Sequence, residues 1–581
     1  MIYILLILKM KKDNLHHGAD PTRGGSSWGR PRGARGTGKE EAKMRQESET
    51  AAIGGLPARE EGRPRPVLIR GGRCWISGEG GGPGRLVPAL LMAEGRIAAL
   101  GDEETVRAHP AASGAEVLEL NGETVIPGMT DSHCHAYLTA QNRCTLDLSG
   151  CASLGEALSR IREAADGGGR EDWIHGTGFS ETRWPERRIP TRQDLDALGI
   201  TRPILLTRSC VHVRVGSGEA LRRAGLPDGP DRDGILMEGA AVPLTRAYDR
   251  WARESGAVDR ALEEQLLEWA SRGVTELHTC GAEEMGVPES LLAYQRLRAR
   301  GRLPLRILLY SDQDPPFGMG SGFGDGWIRY GGFKLFADGA LGGRTAALSE
   351  PYADDPGNRG EFCWDDEALF ARGAELHLRG IQLQIHTIGD GALDQVIRLL
   401  RRLRELGPHP LGFRHRVNHA MICRDDQLSA LEELDPVLDA QPAFVPSDLP
   451  MLEDRVGAGR VAWCYRWGDY LRRGLVVTGS SDSPVEPISP FRGIWAAMAR
   501  TDPEGRPEGG LEPGQRLTLE EALSLFTRGP AEAARETWRG RLAPGLEADV
   551  VVCDRDLFAA SPEEIRDARA SAVFAGGRRI L

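Results

Sequence analysis

Short apolar runs rich in β-branched residues alternate, along most of the chain, with stretches whose apolar residues recur every three or four positions. The first pattern predicts strands and the second predicts helices. Near the beginning only strands are predicted: VLIRGGRCWI (Val67–Ile76), ALLMAEGRIAALG (Ala89–Gly101) and AEVLELNGETVIPG (Ala115–Gly128), separated by glycine turns, with Glu79–Gly84 as a Gly-rich loop. The far end is again strand-like over Ala548–Asp554 and Ala572–Ile580.

Between these ends the pattern changes to helix and strand in alternation. Ser153–Ala165 and Ala261–Arg272 read as helices, and Pro203–Thr207 and Val274–Leu277 as strands. Leu303–Tyr310 follows, then apolar runs around Lys334, His386 and His419, then Val437–Phe444 and Leu475–Pro484. Repeated β-then-α units predict parallel strands joined by right-handed crossovers. The fold class is therefore α/β: a (β/α)8 barrel of TIM type, with a small composite β-sandwich formed from both ends of the chain. The expected division is a disordered, low-complexity extension over 1–65, the sandwich over 66–126 and 536–581, and the barrel over 127–535. Toward the end Thr518, Leu519, Glu520 and Glu521 form a capping box opening a helix over Leu519–Phe526, which is expected to stop before Gly529-Pro530.

A length of 581 residues exceeds one hydrophobic core and fits a barrel with additions. The formal charge of −11 comes from acids and bases that are interspersed, with no basic stripe to bind nucleic acid. Residues 2–8 (IYILLIL) are too short to span a membrane, no basic segment precedes them and lysines follow, so neither an anchor nor a secretory leader is expected. The ten cysteines form no CxxC pair and read as reduced thiols of a cytoplasmic protein.

Candidate chemistry begins with ETVIPGMTDSHCH (Glu123–His135). In an extended strand residues i and i+2 face the same side, so His133 and His135 can point to one place, with Cys134 turned away. A bare HxH is common without metal. Here Lys334, His386, His419 and Asp482 also sit at the ends of apolar runs, where parallel barrels carry their chemistry. His386 to His419 spans one βα unit and His419 to Asp482 two. From His133 to Lys334 is about 200 residues, whereas three units need roughly 120, which predicts an insertion over about 147–250. Lys334 is costly as a buried cation, so it should face solvent, pair with an acid such as Asp338, or be chemically altered. Asp482 closes an apolar strand and is placed to bind metal and act as general base, or to cap the following turn.

The motifs PGMTDSHCHA, GGFKLFADGALGGRTAALSEPYADDPGNRG, HTIGDGALD, HRVNHA, QPAF and GSSDSPVEPISP occur in this order. From about Pro66 to Leu581 the chain resembles the amidohydrolase superfamily, in particular its amidohydrolase-3 branch, which includes N-substituted formamide deformylases. The resemblance implies that His133 and His135 bind the more buried cation and that His386 and His419 bind a second. It implies that Lys334 bridges as its carboxylated form and that Asp482 contacts metal and takes the proton of water. The activity implied is hydrolysis of a non-peptide C–N bond in a small-molecule amide, N-formyl or N-acyl amine. Cyclic amides, carbamates and esters stay open, as does a degenerate barrel that only binds. One or two divalent cations are expected, zinc suiting the donors and manganese or iron remaining compatible. His212 and Arg344 are candidates for holding substrate, with a salt bridge or loop contact as the alternative for each. Relatives commonly carry Arg-Ile-Glu-His where this chain has Arg416, Val417, Asn418, His419, and Asp-Gly-His where it has Cys210, Val211, His212. A homo-oligomer is compatible with the sequence, which specifies no interface.

Overall fold

The computed structural model describes residues 64–78, 83–167, 172–210, 212–227, 232–281, 289–315 and 318–581. The extension expected over 1–65 lies outside these apart from Pro64 and Arg65, as does most of the Gly-rich loop Glu79–Gly84.

Eight parallel strands hydrogen-bond in chain order: β1 (Met129–Cys134), β2 (Val274–Gly281), β3 (Arg306–Ser311), β4 (Ile328–Phe336), β5 (Gln382–Thr387), β6 (Arg416–His419), β7 (Val437–Ala440) and β8 (Val477–Gly479). Almost every residue in them is buried, as expected of strands covered on both faces. The ring is drawn together between β8 and β1. Ser132 Oγ lies 2.7 Å from both Thr478 Oγ1 and Gly479 O, and the Asp482 N–H donates to His133 O at 2.8 Å.

Side-chain alternation along β6 sorts chemistry from packing. Val417 joins the apolar core outside the strands, while Arg416 and Asn418, two residues apart, both reach Asp439 on β7. The fully buried Arg416 guanidinium donates to Asp439 at 2.6 Å, to Tyr310 Oη at 2.8 Å and to Ser132 O at 2.8 Å. Asp439 further accepts from Asn418 Nδ2 at 3.0 Å and Thr478 Oγ1 at 2.5 Å. Beside His419 the chain therefore holds a neutral amide turned onto a buried aspartate.

Outside the strands, helix Asp390–Glu405 buries Leu393, Val396, Leu400 and Leu403 against the barrel, behind β5. Between β1 and β2 the chain forms a separate sheet of five strands, Leu146–Asp147, Ile174–Phe179, Ile204–Arg208, Val213–Gly216 and Ile235–Met237. It has its own core, including Leu148, Ile161, Phe179, Trp184 and Leu206.

The two ends of the chain share one sheet. Val550–Cys553 pairs with Thr124–Pro127 on one side and Ala570–Ala575 on the other, and Thr124–Pro127 pairs with Val67–Ile76. The edge strand Arg96–Gly101 returns to residues 545–547, with Ile97 N–H donating to Leu546 O at 2.8 Å. Ile69, Leu90, Ile97, Val550 and Phe574 consequently meet in one core.

Helix Leu519–Phe526 carries the expected Thr518–Glu521 capping box. It stops before Gly529-Pro530 as expected, and a second, short helix, Arg528–Ala533, starts after a break at Thr527. Pro530 falls in that helix's first turn, where a missing N–H costs nothing. No helix among the described residues is long and apolar enough to cross a membrane.

Candidate metal centre

The end of β1 and the turn after β8 build the centre together. Strand β1 stops at Cys134, and His135 is the N-cap of helix Ala136–Arg143 with φ −121° and ψ 70°. The two rings still converge: His133 Nε2 is 3.1 Å and His135 Nε2 3.3 Å from Asp482 Oδ1, with ring centroids 5.4 Å apart. Cys134 turns away into an apolar cluster with Leu277 and Leu309. Asp131 ties the two segments by accepting the N–H of His133 at 3.2 Å and of Ser481 at 3.0 Å.

His419 ends β6 in the left-handed region, φ +71°, which turns its ring over the strand ends. Its ring centroid lies 5.6 Å from that of His133 and 4.5 Å from that of His386. Gln441 fixes its tautomer. The Gln441 amide nitrogen donates to Asp439 O and Ser480 Oγ, both at 2.9 Å, so its oxygen must accept the Nδ1–H of His419 at 2.8 Å. The Nε2 lone pair of His419 is left facing the centre. His386, on β5, lies 3.0 Å from Gly339 O through Nε2. Gly389, three residues on, admits no side chain: a Cβ there would stand 2.0 Å from Ala347 O.

Burial is the main force on the protonation states. It pushes His133 down to about 3 and His386 to about 4, with Lys334 adding to both, and His419 well below the ordinary imidazole value. All three are thus neutral, the form that donates a lone pair to metal. Burial also opposes ionisation of Asp482, yet the adjoining His133 and His135 hold it well below the usual carboxylate range. The Lys334 ammonium is disfavoured by the same burial. Cys280 on β2, its thiol pushed up to about 12 by burial, stays protonated, donates to Gln384 Oε1 at 3.0 Å and lies 3.4 Å from His133 Nδ1.

These donors fit a cation. His419 Nε2 is buried with no hydrogen-bond partner, close to the Asp482 carboxylate and the His133 ring. Lone pairs gathered this closely repel unless a positive charge is shared among them. One donor atom from each of His133, His419 and Asp482 falls within 4.8 Å of the other two.

Lys334 does not pair with Asp338. Asp338 instead accepts the N–H of Ala347 at 3.0 Å, Ile388 at 3.0 Å and Gly389 at 2.7 Å, and Lys334 Nζ lies 3.2 Å from His133 Nε2. The two expected substrate contacts are engaged elsewhere. His212 Nδ1 is 3.0 Å from Glu238, which opens a short 3-10 helix directly after the strand Ile235–Met237, and Arg344 forms a two-point salt bridge to Asp354 at 2.8 and 3.1 Å. The bland alternative, a salt bridge or loop contact, describes both.

Gln441, Cys280 and Asp131 were not singled out by sequence. Gln441 had a signal: it opens QPAF one βα unit after His419, at the next strand end. Replacing it by leucine removes the acceptor that fixes the His419 tautomer, and metal affinity should fall about 10- to 100-fold. Competition against a chromophoric chelator checks this, with circular dichroism as the control for folding.

With this geometry in hand, the profile of the amidohydrolase family matches residues 116–581. The chain is 30% identical to YtcJ of Bacillus subtilis, named as an amidohydrolase, over 82% of this chain and 92% of that protein. It is 27% identical to the N-substituted formamide deformylase of Arthrobacter pascens, over 84% of this chain and 94% of that enzyme. Among solved structures, an uncharacterized metal-dependent hydrolase from Pyrococcus horikoshii superposes with a TM-score of 0.71 at 29% identity, covering 86% of this chain and 99% of that one.

Proposed function

The chain belongs to the amidohydrolase family, and from that premise we propose that it hydrolyses a non-peptide C–N bond, in an amide, N-formyl or N-acyl amine, at the centre described above. The observation that carries the reading is the convergence of buried His133, His419 and Asp482 at strand ends, one donor atom of each within 4.8 Å of the others, with His419 Nε2 lacking any hydrogen-bond partner. A relative named for deformylating N-substituted formamides supports a C–N bond over an ester.

In this reading His133, His135, His386 and His419 hold one or two divalent cations, and zinc suits imidazole and carboxylate donors. Such a cation supplies Lewis acidity toward the carbonyl and lowers the pKa of the attacking water. Asp482, held as carboxylate, takes the proton of that water and returns it to the departing nitrogen. Lys334 is proposed to act as its N-carboxylated form. Burial favours its neutral amine, whose lone pair can add to the carbon of CO2, forming an N–C bond and releasing one proton. The resulting anion is an oxygen donor able to bridge. The position of Lys334 Nζ, 3.2 Å from His133 Nε2, supports this role, since an ammonium would repel a cation there. The scatter of the ten cysteines along the sequence, with no CxxC pair, supports a reducing compartment such as the cytoplasm.

The test is turnover by zinc-loaded protein on N-formyl amines, N-acyl amines, cyclic amides, carbamates and esters of matched size. Amine release from an N-formyl or N-acyl amine, abolished by chelation and restored by metal, is expected. Turnover confined to the esters, carbamates or cyclic amides would replace the proposed bond by one of those.

A further inference from the structure

At the opposite end of the barrel a cavity of about 740 Å³ opens between the barrel floor and the segment that returns to the composite sheet. Arg414, Arg528, Arg535, Arg539 and Arg541 all line it. Its position is set by the strands. Arg414 precedes β6, whose last residue is His419, and Arg539 donates to Thr130 Oγ1 near the start of β1, which reaches His133 only at its far end. The run from Arg414 to His419 is about 16 Å of extended chain, so the cavity is separate from the metal centre.

Two carboxylates share the lining, and both are already used. Glu536 is ion-paired with Arg539 and with Arg329, and Glu532 lies 2.9 Å from Arg414. Arg539 is spent as well, on Glu536, Glu276 and Thr130. That leaves three guanidiniums without a carboxylate partner among the described residues. Arg528 donates to Gly78 O at 3.3 Å, Arg535 donates to Leu411 O beneath the Phe413 ring, and Arg541 makes no recorded ion pair. Like charges gathered around one concave space repel, and a guanidinium fork is the side chain best matched to the paired oxygens of phosphate or carboxylate.

We propose that this cavity is a binding site for a small polyanion, a molecule carrying at least two phosphoryl or carboxyl charges, held by Arg528, Arg535 and Arg541. Arg414 and Arg539, neutralised by Glu532 and Glu536, form the fixed wall.

The test is isothermal calorimetry on the zinc-loaded full chain, titrated separately with inorganic phosphate and with succinate, for wild type and for an Arg528→Ala/Arg541→Ala double variant. Saturable binding of either probe to wild type, weakened about tenfold or more in the double variant, is the expected result. Which probe binds distinguishes a phosphorylated from a carboxylic ligand. Absence of saturable binding of both probes up to about 10 mM overturns the proposal. So does binding of equal strength in the double variant, which would place the anion on the metal centre. Arg528 and Arg541 are both partly exposed, and the Arg528→Lys/Arg541→Lys variant guards against misfolding: it keeps the charge and should retain measurable binding.

Discussion

Asp482→Asn should lower kcat by about 10²- to 10⁴-fold, the usual worth of a positioned general base, while the protein still binds metal. The amide keeps an oxygen where Asp482 Oδ1 now lies, 3.1 Å from His133 Nε2 and 3.3 Å from His135 Nε2, so part of the donor set survives. What it loses is basicity. The backbone N–H of Asp482 donates to His133 O at 2.8 Å and is untouched by the change, so the turn that carries residue 482 should hold. Kinetics on whichever substrate is turned over, beside metal content of the same preparation, separates the two effects. Unchanged kcat would remove Asp482 as the base, and loss of all metal would make it chiefly a ligand.

Lys334→Ala should have the second large effect. If the lysine contributes a bridging carbamate, its loss leaves two sets of imidazoles with no shared anion, and metal content should fall from two ions per chain to one or none. Activity should fall with it by about 10³-fold or more, as expected when Lewis acidity worth several kcal/mol is withdrawn. The methyl of alanine leaves a gap beside His133, where Lys334 Nζ now lies, and small carboxylates such as formate or acetate should enter it and restore part of the activity. A lysine serving only as packing would give unaltered metal content and no rescue. Stability alone does not distinguish the cases, because removing a buried lysine whose charged form is disfavoured can be neutral.

How far sequence reaches is clear from the individual residues. Most of the barrel is legible as short apolar runs, Arg306–Ser311 and Val437–Ala440 among them, and the eight strands pair in the order in which they occur. The four histidines, Lys334 and Asp482 are legible for the same reason, as polar residues where such runs end. Residues that act on those side chains from a neighbouring strand are not. Gln441 meets His419, and Cys280 meets His133, only because strands adjacent in space bring together positions 22 and 147 residues apart. Asn418 looked like a lost charge in sequence. It is a donor to Asp439, and that contact depends on the β6 and β7 register, which pairs Asn418 with Asp439. Arg344, a candidate for substrate with a salt bridge as the alternative, forms a two-point salt bridge to Asp354 ten residues on, a pairing that sequence alone does not choose. The helix resuming at Arg528 was hidden by Gly529-Pro530, a pair that breaks a helix in its interior yet is tolerated in its first turn.

The central claim is that the strand-end histidines form a metal centre. Elemental analysis of wild-type protein purified without chelators tests it most directly. The account predicts one or two equivalents of a divalent metal, zinc foremost, per chain. Protein that is folded by circular dichroism, carries no metal as isolated and takes up none from zinc, manganese or iron salts would contradict it.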